Sequence, residues 1–192
     1  RLTLDGRSFQ RVVVGAPREG SGPWRANIEA DELAGQVRAS ATKLQAWIAS
    51  FGGDGIGLLR ALKFDQVGFH PLDGHALNAI EQVNQIWTYL AALSAVRVLF
   101  ELHPDAGSFS IAPGAHAAQP LDVMSEVEGL VGAETFAAVD PRNNRKLAKD
   151  LVKLAGRAEL HRYVFFASPL FPGTTRLPQL ERGGVQVWSV DV

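Results

Sequence analysis

Three strand patterns follow one another between residues 108 and 139, and a helix pattern lies on either side of them. The three are "SFSIA", "LDVMSEV" and "LVGAETFAAV", and Pro/Gly-rich or Glu-Gly segments suited to turns separate them. Because the patterns come in quick succession, they predict an antiparallel meander. A sheet with helices before and after it is the strongest constraint on the fold, and it makes the fold class α/β (α+β).

A long helix is predicted before the meander. Asp73 is placed to cap the segment "GHALNAIEQVNQIWTYLAALSAVRVLFELH", and Pro104 to end it. The apolar residues with a helical period are Leu77, Ile80, Trp87, Leu90, Leu93 and Val96. The most apolar run, residues 86 to 100, is shorter than the roughly 20 residues that cross a bilayer, and it carries Arg97. We therefore expect a buried helix and no membrane partner.

A second helix and two further strands are predicted after the meander. "NNRKLAKDLVKLAG" places Leu147, Leu151 and Leu154 on one face, with an Asn at its start and Gly156 at its end. "HRYVFFASP" is a near-continuous apolar run, typical of a strand buried on both faces. "RLPQLERGG" suits a short helix or turn before the final strand "VQVWSVDV", so the last two strands are expected to be parallel. Residues 73 to 192 thus predict the order α-β-β-β-α-β-(α)-β.

Residues 1 to 72 predict a β-hairpin and a helical region. Asp5-Gly6 in "RLTLDGRSFQRVVVG" suits a tight hairpin turn. Residues 27 to 50 form an amphipathic helix pattern that Gly52-Gly53 ends, and its apolar residues are Leu33, Val37, Leu44, Trp47 and Ile48. The glycines of "FGGDGIGLLRAL" match neither GxGxxG nor GxxxxGK, so we interpret that segment as a linker between helices. With 192 residues, the two regions are expected to form one compact unit.

Composition excludes several kinds of chemistry. The absence of cysteine excludes disulfides, zinc ribbons, thiol nucleophiles and iron-sulfur ligation. No serine lies in a GxSxG elbow. A formal net charge of −1 argues against a globally basic nucleic-acid binder but leaves room for a local basic face. The chain opens at Arg1 without a leader pattern, which we interpret as the start of a processed or truncated product. We expect a cytoplasmic location.

The histidines show no HxH, HExxH or other tight ligand spacing, and we interpret them as structural or surface residues. They are His70, His75, His103, His116 and His161.

The order of elements in residues 73 to 192 resembles the αβββαβ core of the PD-(D/E)xK nuclease superfamily, the restriction-endonuclease-like fold. In that family an aspartate on the second core strand and an acid on the third bind a divalent metal, and a lysine two residues later helps to activate water. The resemblance places Asp122 and Glu134 at the acid positions and Phe136 at the lysine position. It implies Mg²⁺ as the cofactor. The family's proline directly before the aspartate is absent, since Pro120 lies one residue too early.

Phe136 departs most from the family pattern, because an apolar ring cannot donate a proton, bind phosphate or hold a water molecule. Either the activity is lost or another cation has taken the role. The lysine is relocated to the following helix in some members of the superfamily, which makes Lys146 and Lys149 the candidate catalytic cations. Glu101, at the end of the long helix, is a further candidate acid, for which the alternative is a solvated side chain at a helix end.

Five cations of the second helix recur at spacings of 4, 3, 4 and 4, which places them on one face. They are Arg142, Lys146, Lys149, Lys153 and Arg157. Such a stripe predicts salt-dependent contacts with the phosphates of DNA or RNA. It is equally consistent with the solvated side of an amphipathic helix. Only Asp150 interrupts the positive charge, which favours an anionic partner.

Three functions therefore stay open at this point. The first is a metal-dependent nuclease with Asp122 and Glu134 as ligands. The second is a catalytically silent relative that binds nucleic acid through its basic helix. The third is a protein-interaction domain that forms a homo-oligomer through the apolar faces of the helices at residues 27 to 50 and 74 to 102.

Overall fold

The computed structural model describes residues 3–4, 7–8, 12–15, 24–112 and 119–192. Within them a seven-stranded mixed sheet has helices packed on both faces, so the predicted α+β class is confirmed. In chain order the elements are β1 (Thr3–Leu4), β2 (Arg7–Ser8), β3 (Val12–Val14), α1 (Trp24–Ser50), α2 (Gly55–Phe64), β4 (Gly68–Phe69), β5 (Ala76–Leu77), α3 (Ala79–Leu102), β6 (Phe109–Ile111), β7 (Val123–Ser125), β8 (Val131–Ala137), α4 (Lys146–Ala155), β9 (His161–Ala167), β10 (Thr175–Arg176) and β11 (Gln186–Ser189).

The strands of the large sheet lie in the order β10-β11-β9-β8-β7-β6-β3. β6, β7 and β8 pair antiparallel, which confirms the predicted meander. β11 pairs parallel with β9, which confirms the prediction for the last two strands, and β9 also pairs parallel with β8. The described elements from α3 onward therefore follow the predicted order, with 3-10 turns at Asn143–Arg145 and Pro178–Leu180 and a short added strand, β10.

Two hydrophobic layers lie on opposite faces of the sheet. Val131 and Ala133 of β8 pack with α1 and α3 in the larger layer. Phe136 of the same strand packs with the leucines of α4 in the smaller layer. This alternation follows from the two-residue period of a strand. The same alternation determines which side chains of β7 and β8 lie on the face that α4 covers.

The start of α3 differs from the prediction. The sequence predicts Asp73 as the cap, but α3 begins at Ala79 and Asn78 caps it. The Asn78 side chain accepts the Glu81 N–H at 2.8 Å, and the Glu81 carboxylate accepts the Asn78 N–H at 3.4 Å. This reciprocal capping box satisfies two backbone donors, which a lone aspartate five residues earlier cannot do. Asp73 and Leu77 belong instead to the β4–β5 hairpin and its loop.

The region before α3 contains one helix more than predicted. The helix pattern at 27–50 lies within α1, which packs against α3. The segment interpreted as a linker is instead α2, whose cap Asp54 accepts the Gly57 N–H at 2.7 Å. The glycines lower the helix propensity of α2, but the cap and the leucines that follow the glycines outweigh that cost.

The first residues form a small hairpin in which β1 and β2 pair antiparallel. The predicted turn at Asp5-Gly6 lies outside the described residues. β3 pairs antiparallel with β6 and extends the large sheet. In the part of the chain that the structure describes, no helix combines the length and apolar character needed to cross a membrane.

Candidate functional site

Asp122 and Glu134 lie opposite each other where β7 meets β8. Val123 pairs with Ala133, and the two acids are the next residues along this antiparallel register. Side chains opposite each other on antiparallel strands share a face of the sheet. Since Val123 and Ala133 pack in the layer of α3, both acids face α4. The two candidate ligands therefore lie on the same side of the sheet.

Asp122 is a buried carboxylate with a defined orientation. It is 9% exposed, and its Oδ2 accepts the backbone N–H of Thr135 at 2.8 Å and the Thr135 hydroxyl at 3.3 Å. Burial, followed by the negative charge of Glu134, raises the pKa of Asp122 to about 6, against the opposing effects of the Thr135 N–H and Lys146. At neutral pH it is a charged group held in an unfavourable environment.

Glu134 contacts the ammonium groups of two lysines from α4. It is 3% exposed, and Lys153 Nζ donates to its Oε1 at 2.6 Å while Lys146 Nζ lies 3.8 Å from its Oε2. Lys146 also donates to Asp150 Oδ1 at 2.8 Å. Burial alone would lower the pKa of Lys146, but Asp150 and then the charges of Asp122 and Glu134 outweigh it and raise that pKa. Lys146 therefore stays charged at neutral pH.

Asp150 lies with Asp122 and Glu134, although the sequence pattern indicates only an acid that interrupts the row of cations on α4. It is 3% exposed, and its Oδ2 is a buried oxygen without a hydrogen-bond partner among the described residues. Burial raises its pKa, opposed by Lys146 and reinforced by Glu134. The four-residue step from Lys146 and the nearby inward leucines are the sequence signals that predict its position. We call Asp122, Glu134 and Asp150 the acid cluster.

Phe136, at the position where the family pattern has a lysine, is part of the smaller hydrophobic layer. Its ring is 7% exposed and stacks on Phe166 with centroids 5.7 Å apart. Lys146 Nζ lies over the Phe136 ring, 5.8 Å from its centroid. The positive charge next to this strand position therefore comes from Lys146 of α4, since β8 has an apolar ring there.

The other predicted cations lie apart from the acid cluster. Arg142 forms two hydrogen bonds of 2.9 Å with the Asp140 carboxylate, and Arg157 forms an ion pair with Glu159 at 2.6 Å. Lys149 is exposed and makes no ion pair with any described residue. Four of the five cations of the predicted stripe therefore have an acidic partner, which lowers the net positive charge that this helix presents. Glu101 is exposed near the end of α3.

A second group of potential metal ligands lies in the β4–β5 hairpin. Among the described residues, His70, Asp73 and His75 are the one group of three or more such side chains whose ligand atoms all lie within 4.8 Å of one another. The three carboxylates of the acid cluster are not as close to one another as this, and two lysines lie against them. The spacing of His70, Asp73 and His75 is not an established ligand motif, which is why the sequence interpretation missed this group. His116 lies outside the described residues.

A cavity of about 750 Å³ opens where β8 and β9 end. Its lining is mostly apolar and includes Trp87, Phe136 and Val190, with Ser168 and Asp191 as polar groups. A volume of this size accommodates a small organic group. Phe136 lines the cavity, whereas Asp122, Glu134 and Asp150 do not.

The acid cluster thus combines oxygen ligands suited to a hard divalent cation with two fixed ammonium groups. Such an arrangement can hold a metal ion and bind the oxygens of a phosphate. The element order and these residues are the basis for a functional assignment, because no protein-family model, no curated protein and no solved structure matches this chain.

Proposed function

We propose that this protein is a metal-dependent phosphodiesterase that cleaves DNA or RNA, a divergent relative of the PD-(D/E)xK nucleases. One observation carries the proposal: two lysines of α4 place their ammonium groups at Glu134, next to the strand position that Phe136 occupies. The order of elements from α3 to β9 and the shared face of Asp122 and Glu134 support it. A cytoplasmic location is part of the proposal.

Asp122 and Glu134 are the proposed Mg²⁺ ligands. The acid cluster offers oxygen ligands to a divalent cation, because its three carboxylates are buried and one buried oxygen of Asp150 has no hydrogen-bond partner among the described residues. Mg²⁺ bound there would polarise a phosphodiester and lower the pKa of a bound water. The Thr135 N–H orients the Asp122 carboxylate for this role.

Lys146 and Lys153 are the proposed catalytic cations. Lys153 contacts Glu134 directly, while Asp150 positions Lys146 above the ring of Phe136. The raised pKa of Lys146 suits a permanently charged group that binds a phosphate oxygen. Lys149, the other lysine that the resemblance suggests, makes no ion pair with the acid cluster. Lys153 therefore takes its place in the proposal.

The test is cleavage of single- and double-stranded DNA and RNA by the full chain in Mg²⁺ or Mn²⁺. We expect Asp122→Asn, Glu134→Gln, Lys146→Met and Lys153→Met each to lower kcat by about 100-fold or more, the scale for losing one electrostatic contact at a reacting phosphate. Lys149→Met is the matched control on the same helix and should retain kcat. Melting curves of every variant separate lost activity from lost folding.

Cleavage that persists in a chelator, or that is equal in Asp122→Asn and wild type, would contradict the proposal. Binding of nucleic acid that weakens with salt but never leads to cleavage would instead identify a catalytically silent relative.

A further inference from the structure

The β4–β5 hairpin brings two imidazole rings together. β4 and β5 pair in a register that aligns Phe69 with Ala76, and the next pair in that register is His70 and His75. The His70 N–H donates to the His75 carbonyl at 2.8 Å, and the Gly74 N–H donates to the His70 carbonyl at 3.0 Å. Gly74 has φ +76°, a conformation that favours glycine, and it closes the loop. The rings stack with centroids 4.8 Å apart and planes within 13° of parallel.

Asp73, in the loop of this hairpin, directs one carboxylate oxygen at both rings. Its Oδ1 lies 2.6 Å from His75 Nδ1 and 3.1 Å from His70 Nδ1. The His75 backbone N–H also donates to Oδ1 at 3.1 Å and so holds the carboxylate in this orientation. Two nitrogens and one oxygen from six consecutive residues thus lie within 4.8 Å of one another.

A hydrogen bond accounts for the contact of Asp73 with His75, and His70 Nδ1 lies close to the same carboxylate oxygen. His70 Nδ1 accepts long hydrogen bonds from the backbone N–H groups of Leu72 at 3.4 Å and Asp73 at 3.3 Å. His70 Nδ1 also lies 3.1 Å from Asp73 Oδ1, a distance that either a proton or a metal ion shared by the two atoms would give. His70 is buried, and its ring contacts the Tyr89 ring edge to face at 5.5 Å, which keeps the imidazole in place. A cation bound to His70 Nδ1 would use the lone pair that now accepts these two long hydrogen bonds.

We propose that His70, Asp73 and His75 form a binding site for a divalent transition-metal ion of the zinc class. Two imidazole nitrogens and one carboxylate oxygen suit Zn²⁺, whereas Mg²⁺ prefers a set made of oxygens alone. Ligands about 2.0 to 2.1 Å from Zn²⁺ lie roughly 3.3 Å from one another in tetrahedral geometry. The observed 3.1 Å needs almost no change, and the 2.6 Å contact opens slightly once its proton is displaced. His75 is 56% exposed, so the remaining coordination position opens to solvent.

This site is separate from the acid cluster in its ligands and in the metal it selects. The hairpin precedes the Asn78 cap of α3, and its His70 ring packs against Tyr89 of that helix, so a metal bound here would fix a segment that contacts α3. Metal that binds only the folded chain raises its stability.

The experiment uses the full chain carrying Asp122→Asn and Glu134→Gln, so that the acid cluster cannot contribute to metal binding. The protein is stripped of metal with a chelator, exchanged into buffer and titrated with Zn²⁺ alone in a calorimeter, with melting curves in parallel. We expect one Zn²⁺ per chain and a higher Tm. His75→Gln and Asp73→Asn should each weaken the affinity tenfold or more, since even changes to groups around a metal's ligands cost 10- to 100-fold. His161→Gln, a histidine outside the group, should leave the affinity unchanged.

Asp73→Asn retains an acceptor for the His75 N–H, and His75 is exposed, so both variants should fold. No saturable Zn²⁺ binding would overturn the proposal, as would an affinity that either variant leaves unchanged. Because the acid cluster is disabled throughout, these outcomes are independent of whether the protein cleaves nucleic acid.

Discussion

Asp122 is a residue whose ionised form is unfavourable in the folded chain. Its carboxylate is oriented by Thr135 but lies buried next to Glu134, and its pKa rises to about 6. A group that served stability alone would have its pKa lowered by its partners, as Asp140 does beside Arg142. A buried, oriented and unfavourably placed carboxylate is common at functional sites, because a cation bound there restores the lost solvation.

The raised pKa of Asp122 predicts how stability depends on pH. Between pH about 4 and 6 the folded chain binds this proton and the unfolded chain does not, so stability falls as pH rises through that range. A shift of roughly two units corresponds to about 3 kcal/mol of unfolding free energy. Without metal, Asp122→Asn should therefore gain up to about 3 kcal/mol over wild type at pH 7 and almost nothing at pH 4, as measured by urea unfolding.

Asp140→Asn is the control with the opposite sign. The hydrogen bond from the Arg142 side chain lowers the pKa of Asp140, so the carboxylate stabilises the fold above its unfolded pKa. This variant should lose stability relative to wild type as pH rises. If the two variants respond to pH in the same direction, the burial of Asp122 does not set its pKa.

At the scale of the element, the cations of α4 differ in whether an acidic side chain lies within reach of them. Lys146 and Lys153 lie beside the leucine face and contact the acid cluster, whereas Lys149 is exposed. Spacing along the helix predicts which residues share a face, but it cannot predict which acids of a neighbouring strand or loop meet that face. The basic stripe and the proposed catalytic lysines therefore share one pattern in the sequence and differ in the structure.

The start of α3 provides a prediction at the same scale. Removing the side chain of Asn78 leaves the Glu81 N–H without its acceptor, so Asn78→Ala should lower the unfolding free energy by about 1 kcal/mol. Asp73→Asn, measured in a chelator, should cost less because Asp73 caps no helix in this fold. Urea unfolding of both variants distinguishes the two positions. An equal or greater loss at Asp73 would favour the cap that the sequence first suggests.

At the scale of the whole molecule, the elements of the sheet could be predicted because each strand and helix carries its own period. The apolar run at β9 and the leucines of α4 define their layers without further information. The sequence does not predict α2, because its glycines are unfavourable in a helix. It does not predict the β4–β5 hairpin either, because strands of two residues are too short to show a period. The face shared by Asp122 and Glu134 followed from the meander, but Asp150, Lys153 and the histidine pair depend on packing between elements.

Phe136→Lys tests whether the proposed catalytic cation belongs on β8 or on α4. The change restores the family's lysine in sequence, but it removes a ring that stacks on Phe166 and places an ammonium beside Lys146. Loss of the buried ring and burial of a charge should together lower the unfolding free energy by about 3 kcal/mol or more. Phe136→Leu, which keeps the site apolar, should cost about 1 kcal/mol. Cleavage by Phe136→Lys should not exceed that of wild type, because α4 already supplies the cation. A stable Phe136→Lys protein with faster cleavage would show instead that the strand position is the productive one and that Lys146 and Lys153 serve only to neutralise the acids.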